Sequence, residues 1–249
     1  VTGIQETWLR CADPRPAAGR RLVCFPHAGG SAAFYRDWGR HLPDLEVHAV
    51  SYPGRAERIE EEPRTDLRRL ARDIADALEP LADRPLLLFG HSMGAVVALE
   101  TARELQARGV APAHLYASGS RDAPLPEPEE DDDADEDEES LTARLLHLGG
   151  TDPELAHDPL FRELVLPYLR ADGQMFRSHA RSFRPLPRLD CPVTSIVGDA
   201  DPDADRRPWS ELTTGTFRER IVPGGDHFYL ISDPPYALLL RDSRDRPTS

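Results

Sequence analysis

A chain of 249 residues with 39% apolar content is long enough for one sizeable α/β core, and a single domain spanning residues 1–249 is the reading adopted. The formal charge of −14 is not spread evenly: residues 127–139 hold eleven acidic side chains and no basic one, leaving about −3 for the rest, so acidity excludes a nucleic-acid role for one loop more than it characterises the protein. No run of apolar residues is long enough to cross a membrane, no leader pattern opens the chain, and Cys11, Cys24 and Cys191 lack paired spacing, which together predict a cytoplasmic protein without membrane, disulfide framework or structural zinc.

Residues 1–20 are polar and broken by Pro14, Pro16 and Gly19, and read as an irregular lead-in with a short strand starting near Trp8. Arg21–Phe25 reads as a buried strand running into the small-residue loop Pro26-His27-Ala28-Gly29-Gly30-Ser31. A helix over about 33–41, a strand over 46–50 and the turn Ser51-Tyr52-Pro53-Gly54-Arg55 follow. Leu67, Leu70, Ile74, Ala77, Leu78 and Leu81 then recur at helical spacing, which predicts an amphipathic helix over about 65–81 with one face on a sheet.

Leu86-Leu87-Leu88-Phe89-Gly90-His91-Ser92-Met93-Gly94 is the stretch around which the chain is organised. Four apolar residues, a glycine-flanked serine and an alanine-rich segment to about Gly109 read as strand, sharp turn and helix, the setting of a nucleophile elbow. Ser92 would be held out of the core on a strained turn, with the amide of Met93 opening a helix whose positive end faces any oxyanion formed there. The second oxyanion donor falls to the amide of Ala28 in the small-residue loop. His27 is read as a loop histidine with a structural hydrogen bond, and His91 as local packing.

After a strand over 114–118 the alternation of strand and helix stops. Residues 121–184 carry the acidic tract and helical segments near 141–148, 158–169 and 171–183, an insertion that reads as a helical lid with a disordered tract at 127–139. Asp152, Asp158 and Asp172 within it read as helix caps or solvated residues. Strands over 192–197 and 217–222 and a helix over about 235–240 close the fold.

Serine needs a base, and the base needs an acid to fix its tautomer. His227 alone among the nine histidines lies in a glycine-rich loop after the last strand, so it is the candidate base. Asp199 and Asp201 both follow the strand before it. Asp201 has room to curl over the sheet edge, whereas Asp199 is placed to satisfy turn amides, and Asp226 adjoins His227 too closely. Ser92, Asp201 and His227 stand in the chain order expected of an α/β-hydrolase, a mostly parallel sheet flanked by helices.

Phe25-Pro26-His27-Ala28-Gly29-Gly30-Ser31, Tyr52-Pro53-Gly54-Arg55, Gly90-His91-Ser92-Met93-Gly94, Gly198-Asp199-Ala200-Asp201-Pro202 and Pro223-Gly224-Gly225-Asp226-His227-Phe228 together resemble the type II thioesterases of polyketide and nonribosomal peptide synthesis. The resemblance spans nearly the whole chain. It implies a free-standing enzyme without cofactor or metal that releases acyl groups from the phosphopantetheine arm of an acyl or peptidyl carrier protein through an acyl-serine intermediate. It supports Ser92, Asp201 and His227 as the triad and the Ala28 and Met93 amides as oxyanion donors. The acidic tract departs from the family pattern. A small-molecule carboxylesterase or lipase, a cyclising thioesterase domain and an inactive binding scaffold are the alternative readings.

Overall fold

The computed structural model describes residues 2–120, 137–147, 152–181, 187–201 and 209–244. The chain opens with helix α1 (Thr2–Trp8), where the sequence predicts an irregular lead-in, and the short strand expected near Trp8 is β1 (Leu9–Arg10), one residue later; residues 11–19 are irregular as expected. Tertiary contact overrides the weak local signal: β1 pairs antiparallel with Val50 and Ala49, and buried Trp8 is covered by the Arg58 guanidinium, 4.3 Å from the ring centroid.

Strand β2 (Arg20–Phe25) is followed by a short 3-10 turn and helix α2 (Trp38–His41), two pieces where the spacing predicts one helix. Strand β3 (Leu45–Val50), helix α3 (Leu67–Leu78), strand β4 (Leu86–His91), helix α4 (Met93–Ala107) and strand β5 (His114–Ser118) then alternate. Asp66 caps α3 by accepting the Arg69 amide, and Leu67, Leu70, Ile74 and Leu78 face the core, each contributing about 1.5–3 kcal/mol by burial. Helices α5 (Glu138–His147), α6 (Pro153–Ala156) and α7 (Pro159–Arg181) intervene before strands β6 (Val193–Gly198) and β7 (Phe217–Val222) and helix α8 (Tyr236–Arg244).

The sheet order is β1-β3-β2-β4-β5-β6-β7, parallel except for β1. One face packs on α3 and α4, the other on a cluster that includes Tyr35, Trp38, Leu42, Tyr229 and Leu239. Layers on both faces explain why β2 and β4 read as continuous apolar runs. This is the α/β-hydrolase architecture expected from the sequence.

Two expectations for the insertion change. The segments near 158–169 and 171–183 are one 23-residue helix that runs through Pro167, because packing on both sides of the proline holds the helix together despite the missing amide. Of the acidic tract, residues 127–136 lie outside the described residues, but Asp137 accepts the Ser140 amide at 2.8 Å and Glu138 and Glu139 form the first turn of α5, where negative charge meets the helix dipole. Asp152 and Asp158 cap helix starts as expected, accepting the Glu154 and Phe161 amides at 2.8 and 2.9 Å.

Candidate active site

Ser92 stands between β4 and α4 with φ 53° and ψ −124°, one of two positive-φ residues other than glycine among those described. A serine is held there because the chain must reverse within one residue, and the glycines on either side make the reversal possible. A Cβ on Gly90 would overlap the Gly94 carbonyl, and one on Gly94 would overlap the carbonyl oxygens of Phe25 and Pro26. Close approach therefore sets α4 against the end of β2, and the same approach brings Pro26, the first residue of the Pro26–Ser31 loop, against Gly94, the residue after Met93. In that loop the Gly30 amide donates to the His27 carbonyl at 2.9 Å and Gly29 has φ 75°, a turn whose third position favours glycine. Ala28, the second residue of the turn, keeps its N–H out of the turn's own hydrogen bond.

Gly198 ends β6 against the carbonyl of Gly225, leaving no room for a side chain, and this contact fixes the His227 loop to the strand that delivers Asp201. His227 Nδ1 donates to Asp201 Oδ2 at 2.9 Å, with Asp201 8% and His227 7% exposed. That bond leaves the lone pair on Nε2, a buried atom with no hydrogen-bond partner among the described residues. Asp199 is exposed and accepts the Gly224 amide at 2.6 Å. The structure thus brings Asp201 to the imidazole and puts Asp199 on a turn amide.

His91 is fully buried. Its Nδ1 is 2.9 Å from Ser118 Oγ, which is 2.6 Å from the Tyr229 hydroxyl, and its ring centroid is 5.2 Å from that of His227. The chain neighbour of Ser92 is thereby tied to the loop carrying His227. Burial, reinforced by the neighbouring His27 and His227, pushes the His91 imidazole well below its usual range. His27 departs from expectation: its Nδ1 has no hydrogen-bond partner among the described residues, and its ring packs edge-on against Phe34 and Phe228 at 5.1 and 4.8 Å. Burial, with the charges of His227 and Arg55, lowers it to about 3.

These two histidines make the fold acid-sensitive. Unfolded, each titrates near 6.5. As pH falls below that value the unfolded chain takes up protons that the folded state refuses, so stability is greatest above about 6.5 and declines toward about 3 for His27. His48, His114 and His179 shift in the same direction through burial. The melting temperature is expected to drop between pH 7 and pH 5, and to drop less in a His27→Gln variant. Equal drops in the two proteins would refute the assignment.

The sequence reading missed Asp172. It is 1% exposed and neither caps a helix nor meets solvent: its carboxylate receives the Arg55 guanidinium at 2.8 and 2.5 Å and the Gly29 amide at 2.9 Å. The available signal was its place on the apolar stripe of α7, at helical spacing from Leu169 and Phe176. Cys11, Glu46 and His48 form the group of metal-ligating types found among the described residues, but the Glu46 carboxylate is already taken by Arg21, Arg84, His48 and the Arg15 amide. A cavity of about 180 Å³ lined in part by Cys11, Asp13, Tyr35 and Glu57 shares no residue with the Ser92 site.

A strained serine between strand and helix, with a buried Asp-His pair on the later loops of the same parallel sheet, defines the class of α/β-hydrolases with a serine elbow. The family model described as thioesterase domain matches residues 20–241, and the chain belongs to the thioesterase family. It is 40% identical over 229 residues to the thioesterase PikA5 of Streptomyces venezuelae, covering 90% of this chain and 80% of that one. A cadicidin biosynthesis thioesterase of Streptomyces griseus is 40% identical over 239 residues, and there the matched region covers 92% of this chain but only 64% of the relative. Among solved structures, the type II thioesterase BorB from the borrelidin biosynthetic cluster superposes with a TM-score of 0.83 at 34% identity, covering 96% of this chain and 98% of that one.

Proposed function

We propose that this thioesterase acts as a free-standing type II enzyme in the cytoplasm, hydrolysing acyl groups from the phosphopantetheine arm of acyl or peptidyl carrier proteins, with Ser92 as nucleophile, His227 as base and Asp201 as its orienting acid. The observation that carries the residue roles is a His227 imidazole whose Nδ1 is bound to Asp201 and whose Nε2 has no hydrogen-bond partner among the described residues, 5.2 Å from the ring of His91, the chain neighbour of the strained Ser92. Likeness to type II thioesterases of biosynthetic clusters, among them one from the yersiniabactin NRPS/PKS pathway, supports the substrate class.

On this reading Ser92 Oγ attacks the thioester carbonyl while His227 Nε2 takes its proton. The oxyanion accepts the Ala28 and Met93 amides, where preorganised donors stabilise the transition state more than the substrate. Collapse breaks the C–S bond and His227 gives the proton to sulfur, an undemanding step for a leaving thiol with a pKa of about 8.5. Water, deprotonated by His227, then attacks the acyl-serine; the C–Oγ bond breaks, the imidazolium returns the proton to Ser92 Oγ, and the carboxylic acid is released. Helices α5 to α7 serve as a lid: Leu166 and Leu169 are buried in a cluster against which Ala28 packs, so the helical cover sits on the oxyanion loop.

The test compares hydrolysis of acyl carrier protein thioesters, followed by mass spectrometry, with that of simple oxygen esters of the same acyl group. The expected result is a kcat/KM at least about 10-fold higher for the carrier-bound thioester, as recognition of the partner adds binding energy remote from the reacting bond. A preference for the simple ester would identify a carboxylesterase instead.

A further inference from the structure

We propose that Arg55 and Asp172 are positioning residues for the oxyanion step, clamping helix α7 to the turn that presents the Ala28 amide, so that seating of the lid and competence of the oxyanion hole are one event. The proposal rests on the assignment of that amide as an oxyanion donor.

Asp172 Oδ2 receives the Gly29 amide at 2.9 Å and Arg55 Nη1 at 2.8 Å, while its Oδ1 receives Arg55 Nη2 at 2.5 Å. Arg55 Nη1 also donates to the Gly30 carbonyl at 3.2 Å. One side chain from the helix and one from the turn after β3 thus hold the two residues that follow Ala28. From the other side, the Tyr52 hydroxyl donates to the Pro26 carbonyl at 3.2 Å. The guanidinium lies between aromatic faces, 4.8 Å from the Tyr168 centroid on α7 and 5.2 Å from that of Tyr52. Residues of α7 therefore meet both charges of the pair.

Burying an ion pair this deeply is a poor way to gain stability, since desolvation opposes the Coulombic attraction. Its bidentate geometry is directional, and direction is what an oxyanion donor requires: an amide misplaced by a fraction of an ångström loses much of its value in the transition state. The pair is also neutral as a unit, so a carboxylate can bind the amide next to the oxyanion donor without repelling the charge that develops there. Past Asp172, Met175 is buried in the main core, which anchors the far end of the helix. The clamp thus links a fixed part of α7 to the reacting centre.

The test uses the full chain, a short acyl N-acetylcysteamine thioester and an alkyl boronic acid, which bonds to Ser92 Oγ and places an oxygen in the oxyanion position. In Asp172→Asn and Arg55→Lys, kcat is expected to fall about 10- to 100-fold with KM changed less than about three-fold, and the boronate Ki to rise by a matching factor. Because either single variant leaves a buried group without its partner, the paired variant Arg55→Met with Asp172→Leu supplies a neutral replacement, and it should show the same loss of kcat with a melting temperature near wild type. In the unaltered protein, boronate should slow hydrogen exchange both in residues 26–31 and in residues 168–175. A folded variant with kcat within two-fold of wild type, an unchanged boronate Ki, or protection confined to 26–31 would overturn the clamp. A wild-type enzyme indifferent to boronate would instead strike the oxyanion-hole assignment itself, so the two failures are told apart.

Discussion

Ser92→Ala and His227→Ala are each expected to lower kcat by about 10⁴-fold or more while leaving the melting temperature near that of wild type. Alanine accepts the strained backbone at position 92 no worse than serine, so the fold should survive and only the nucleophile is lost. For the acid, Asp201→Asn should cost about 10³-fold or more, because an amide facing His227 Nδ1 can turn an N–H toward it and stabilise the wrong tautomer. Asp199→Asn should cost less than about 10-fold, since its partner is the Gly224 amide, which an asparagine oxygen can still accept. Steady-state kinetics on one thioester, with calorimetry of each variant, make the measurement. A larger loss for Asp199→Asn than for Asp201→Asn at equal folded yield would reverse the acid assignment.

Gly94→Ala is expected to be among the most damaging single methyls that can be added near the site, costing about 3 kcal/mol or more. Its Cβ would overlap two backbone carbonyls, those of Phe25 and Pro26, and backbone at the end of a central strand cannot swing aside as a side chain can. Helix α4 would have to retreat from β2, moving the Met93 amide away from the Ala28 turn. Loss of soluble yield or of melting temperature should therefore accompany loss of kcat. Gly19→Ala is the control, because nothing lies within 4 Å of its would-be Cβ. A Gly94→Ala protein melting within a degree or two of the Gly19→Ala protein would show that the elbow is looser than the geometry implies.

Ser92, His227 and the preference for Asp201 were legible from the sequence because each belongs to a local pattern with a physical cause: glycines where strand and helix touch, a glycine-rich loop after the last strand, a carboxylate two residues beyond a turn acid. The parallel sheet was legible for the same reason, since strands covered on both faces are apolar throughout. Where local signals were weak, tertiary contacts decided. Helix α1 and strand β1 depend on pairing with β3 and on Arg58 over Trp8, and α7 continues through Pro167 because its neighbours hold it. The Arg55–Asp172 pair joins residues 117 positions apart, and no periodicity or spacing connects them. Local chemistry is written in short stretches of chain, so the sequence by itself singled out the strained serine, the histidine that meets Asp201 and the parallel sheet; long-range electrostatic partners are selected by where the folded chain puts them, so only the tertiary structure joined helix α7 to the Pro26–Ser31 turn.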